Sequence, residues 1–174
     1  MARQYAAVGK NSRAYKEQQV TGARSFLLIA LIFTALNLVL VMLNTMEATF
    51  FSIFTPYVLV LYGRLMDFGA MGSNTVTALV IAVVILVVFV LCWLLSKKKS
   101  GWLVAGAVLF VLDTAALLFF CYVNNAFSDM LVNILIHAYI VFILVRGCIS
   151  AVKLKQMTDE GFDDQVASFP EIEF

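Results

Sequence analysis

Apolar residues along this chain fall into long unbroken blocks, not into alternating or one-sided helical patterns. Four such blocks, at 25–43, 74–95, 102–123 and 130–152, are each close to the roughly 20 residues that a helix needs to cross a hydrocarbon core. The pattern predicts an all-α integral membrane protein built as a four-transmembrane-helix bundle. The first block is too long for a signal-peptide core and lacks a small-x-small cleavage pattern after it, so it is expected to remain as a span.

Residues 46–72 are apolar enough to imitate a fifth span, and the basic residues decide how they are placed. If this segment does not cross, every Lys and Arg except Arg64 lies on one side of the membrane together with both termini. If it does cross, the twelve basic residues divide evenly. The tendency of Lys and Arg to stay on the cytoplasmic side favours the first arrangement. Pro56 agrees, because it disfavours helix at Thr55 and leaves too few residues after it to span. A non-crossing helix is therefore expected at about 50–68 on the outer side. It either lies in the interface, anchored by Phe50, Phe51, Phe54 and Tyr57, or is re-entrant and covers a site.

Charge completes the organisation. Residues 1–24 form a basic N-terminal segment, with a helical turn or two expected around 14–20. Residues 25–155 form the membrane domain. Residues 156–174 form an acidic tail expected to be disordered. The predicted location is a bacterial cell membrane, with both termini cytoplasmic. Lys97, Lys98 and Lys99 join the second and third blocks, and Trp93 and Trp102 beside them suit an aromatic belt.

Few groups in this chain can do chemistry. There is no glycine-rich phosphate loop, no H-E-x-x-H, no G-x-S-x-G and only one histidine. Cys92, Cys121 and Cys148 are not spaced for a metal site, so neither metal nor cofactor is expected. Nucleic-acid binding has no support either.

The exception is a set of polar residues inside apolar text. Asp113 sits halfway along the third block, where a carboxylate costs several kcal/mol unless sheltered. Gly106 and Ala116 lie on its helical face, which should turn into the bundle. In the last block Asp129, Asn133 and His137 are spaced four apart and form a polar stripe leading inward. At about 1.5 Å per residue, His137 and Asp113 reach similar depths on adjacent antiparallel helices, where they can meet. Asn37 in the first block is the expected third member. Arg64 is a further possible partner for Asp113, although Asp67 at i+3 is the nearer one.

Two functions follow as expectations. In the first, the cluster sets helix register in a non-catalytic membrane component that packs with itself or with a larger membrane-protein partner. In the second, Asp113, His137, Asn37, Asn133, Asp129 and Arg64 are the groups of a small transporter or channel-like protein for a proton, cation or small polar solute. An intramembrane enzyme is disfavoured, because no nucleophile and base are visibly paired.

Overall fold

The computed structural model describes residues 12–43 and 51–159, and these residues form helices and turns only. In chain order the helices are α1 (Arg13–Met42), α2 (Phe54–Met66), α3 (Ser73–Leu95), α4 (Ser100–Asn124) and α5 (Leu131–Asp159). All but α2 are long and apolar enough to cross a membrane. The bundle expected from the four blocks is the bundle formed.

The long helices alternate in direction, so residue 12 and residue 159 emerge at the same end as the lysine turn between α3 and α4. This is the basic end of the bundle. Here α1 and α5 both run past the predicted spans. The side chain of Ser12 caps α1 by accepting from the Tyr15 N–H at 3.3 Å, so the helix starts twelve residues before the apolar block. At 30 residues α1 is about 45 Å long, more than a bilayer core requires. Its extension packs along α5: Arg146 donates to the Tyr15 hydroxyl at 3.0 Å and Ser150 to the Gln19 side chain at 2.7 Å, while beyond both predicted spans Lys16 donates to the Met157 sulfur at 3.6 Å. The segment at 1–24, expected to hold a turn or two of helix, is thus helical from Arg13 onward. Residues 156–159, assigned from sequence to the acidic tail, belong to α5. The rest of that tail lies outside the described residues.

In hydrocarbon, helices associate by close packing and polar contacts, because lipid tails are as apolar as the side chains. Small residues mark the contacts. A Cβ on Gly147 of α5 would overlap the Cβ of Ala23 on α1, and one on Gly106 of α4 would lie 3.2 Å from Leu27 and 3.3 Å from Cys92. The predicted small face of α4 therefore does turn inward. Leu27, Leu103, Phe110, Ile140 and Leu144 form the main core between α1, α4 and α5. Leu38, Val60 and Ala82 form a second core between α1, α2 and α3.

Candidate functional site

α2 does not lie flat across the end of the bundle. Its first turn is buried beside Asp113, eleven residues before the end of α4 and so about 16 Å below that rim. Its last turn reaches the rim, where Arg64 donates to the carbonyls of Val41 and Met42 at 2.6 and 2.8 Å. The helix is re-entrant. The interfacial alternative fails because Phe54 is buried within the bundle and Phe51 packs on His137 at 5.2 Å between ring centroids, so these aromatics are not interface anchors. Phe50 lies outside the described residues.

A helix start at this depth exposes backbone N–H groups where no water can satisfy them. Three side-chain oxygens on two other helices take those groups. Thr34 Oγ1 of α1 accepts from the Ile53 N–H at 2.8 Å. Asp113 Oδ2 accepts from the Phe54 N–H at 2.8 Å, and Asp113 Oδ1 from the Thr55 N–H at 2.7 Å. The carboxylate also faces the positive end of the α2 dipole, so the contact is favourable in charge as well as geometry. Pro56 fits here, because a proline in the first turn lacks an N–H that would otherwise need a partner.

His137 holds the same segment from α5. Its Nε2 donates to the Ser52 carbonyl at 3.1 Å, and its Nδ1 lies 3.2 Å from Thr114 Oγ1. The Thr114 hydroxyl has one hydrogen to divide between Nδ1 and the Phe110 carbonyl, which it reaches at 2.8 Å. The imidazole stacks on Phe110 with its centroid 5.2 Å away. The expected meeting of Asp113 and His137 is therefore indirect. They share a level of the bundle and grip residues 52–55 from two sides.

The other expected residues divide. Asn133 lines, with His137, Ser52 and Met130, a cleft of about 20 Å³, enough for about one water molecule. Asp129 is exposed in the turn before α5, accepts from the Ser128 hydroxyl and is not part of that cleft. Asn37 is buried on α1 one turn toward the rim from Thr34. The Ile53 N–H is taken by Thr34. The local Arg64–Asp67 pair is replaced by two separate caps. Arg64 closes the C-terminal end of α1 and donates to the Gly69 carbonyl at 2.5 Å. Asp67 accepts from the Thr75 N–H at 2.7 Å, the Thr75 hydroxyl at 2.8 Å and Asn74 at 2.8 Å, capping α3. Each residue serves a helix end of opposite polarity, and that separates them. The Thr75 N–H, with the Thr75 hydroxyl next, holds the Asp67 carboxyl below the usual carboxylate range.

Thr34, Ser52 and Thr114 were not singled out from sequence. The available signal was depth: Thr34 lies eight residues before the end of α1, level with the start of α2. Among the described residues no group of three or more His, Cys, Asp or Glu is placed to hold a metal ion. Comparison of the chain with known protein families, with curated proteins and with solved structures found no match.

Proposed function

We propose that this membrane protein is a non-catalytic component that acts by helix packing, with itself or with a larger membrane partner, its basic end and both termini facing the cytoplasm. The observation that carries the reading is the pair of hydrogen bonds that Asp113 accepts from the start of α2. The acid with the strongest claim to bind a solute is already occupied by the protein's own backbone. Thr34 and His137 are occupied in the same way, which makes the cluster an anchor for the re-entrant helix.

The contacting surface favoured by this reading is α3, whose apolar window is 22% buried within the chain against 39% for α1. A photo-crosslinking side chain at Val84, exposed on α3, tests it in native membranes. Discrete adducts, either of two copies or with one other membrane protein, are expected. Adducts with lipid alone would count against it.

A second reading, a small transporter or channel-like protein for a proton, cation or polar solute, is favoured by the cleft at Asn133 and His137. Purified protein in liposomes separates the two. The first reading expects no pH-dependent flux above that of empty vesicles, and a flux abolished by His137→Ala would replace it with the second.

A further inference from the structure

At the basic end, a cleft of about 490 Å³ opens between α1, α5 and the α3–α4 turn. Lys97, Lys98 and Lys155 line it beside Ser100, the first residue of α4, while Leu103 and Leu154 form part of its apolar wall. Arg13 is also present, already paired with Glu17 at 3.0 Å, and Lys97 lies over the Trp93 ring at 5.3 Å. Lys98 and Lys155 are the cations best placed to meet an anion. The positive end of the α4 dipole adds to them.

A second feature shares helices α4 and α5 with the cleft, which Ser100, Leu103, Ala151 and Lys155 of those helices also line. Between α4 and α5 runs a groove of about 280 Å³ with a wholly apolar lining that includes Val104, Ala107, Val108, Val111, Val145 and Cys148. Ser100, Val104, Ala107 and Val111 recur at helical spacing on one face of α4, and Cys148 and Lys155 are seven residues apart on one face of α5. A molecule following these faces passes from cations to hydrocarbon within the width of one leaflet. That is the chemistry of a phospholipid with an anionic head.

We propose that the basic cleft and the α4–α5 groove together form a binding site for one anionic phospholipid, headgroup at Lys98 and Lys155 and one acyl chain along Val104 to Val111. The proposal does not depend on the helix-packing reading. Each lysine near an anionic headgroup adds about 1 kcal/mol of attraction, so removing two should weaken binding on the order of tenfold or more.

The test measures lipid retained by the full chain in detergent, by native mass spectrometry, with phosphatidylglycerol and phosphatidylcholine offered in equal amounts. One phosphatidylglycerol per chain should be retained in preference. Lys98→Gln with Lys155→Gln should lower retention on the order of tenfold. Val108→Trp, at an exposed site that fills the groove, should lower it without removing charge. Lys99→Gln, outside the cleft lining, should leave it unchanged. Equal retention of the two lipids, or an equal loss with Lys99→Gln, would reduce the effect to general attraction and overturn the site. A several-fold gain on truncation after Asp159 would also overturn it, by giving the cleft to residues 160–174, which carry five acids and no base.

Discussion

Asp113 is costly in hydrocarbon as an isolated charge, and two N–H donors at the start of α2 reverse that cost. Sequence alone suggests that an apolar replacement would relieve a buried acid. The hydrogen bonds imply the opposite, because Asp113→Leu strands two buried donors, each at about 1–3 kcal/mol. Asp113→Asn keeps one acceptor oxygen and should lose less. We expect thermal stability in detergent to fall in the order wild type, Asn, Leu, with faster hydrogen exchange at Phe54 and Thr55 in the Leu variant. A Leu variant as stable as wild type would remove Asp113 from the anchor. Asp113 and His137 were legible because an ionisable group in a span demands a partner. Thr34 and Thr114 were not, since a hydroxyl bonded to its own helix, as Thr34 is to the Ala30 carbonyl at 2.6 Å, hides in apolar text at little cost. Ser52 takes part through its backbone, which no side-chain pattern reports.

Among the elements, α2 is the one whose existence could be read and whose depth could not. Charge counting shows only that residues 46–72 return to the side they left, and the same aromatics serve an interface or an interior equally well. What seats α2 against α3 is Gly63, where a Cβ would lie 2.9 Å from both the Ala78 Cβ and the Asn74 carbonyl. Gly63→Ala must push the helices apart, with an overpacking cost of about 1–3 kcal/mol. Gly22→Ala, where nothing lies within 4 Å, is the matched control and should be neutral or slightly stabilising. Equal melting temperatures for the two variants in detergent would show that the α2–α3 contact is loose. The corner between these helices also carries a pH dependence. Asp67 has a lowered folded pKa, so its contribution is complete above the ordinary carboxylate value near 3.9. It is lost as pH falls through the lower folded value. Exchange at the Thr75 amide should therefore gain protection from Asp67 at neutral pH and lose it only in strong acid. Asp67→Asn should remove that pH dependence, and its persistence in the variant would assign the titration elsewhere.

For the whole molecule, the sequence blocks and the folded helices agree in number and order, because span length and hydrophobicity are set by the bilayer and need no tertiary knowledge. The helical extensions of α1 and α5 beyond the bilayer were hidden. They depend on pairings such as Lys16 with Met157, between residues more than a hundred positions apart. Four crossings bring residue 12, the lysine turn and residue 159 to one end, and place the α2–α3 and α4–α5 turns at the other. The position of α2 can be tested against a fifth crossing by the sidedness of three single cysteines. Lys98→Cys should react with an impermeant thiol reagent only from the cytoplasmic face. Phe68→Cys, at a fully exposed position, and Asn125→Cys should react only from the opposite face. A re-entrant α2 requires positions 68 and 125 to agree with each other and differ from 98. If 68 is labelled with 98 instead, the segment before it has crossed, the anchor at Asp113 no longer holds a returning helix, and the four-span arrangement is lost with it.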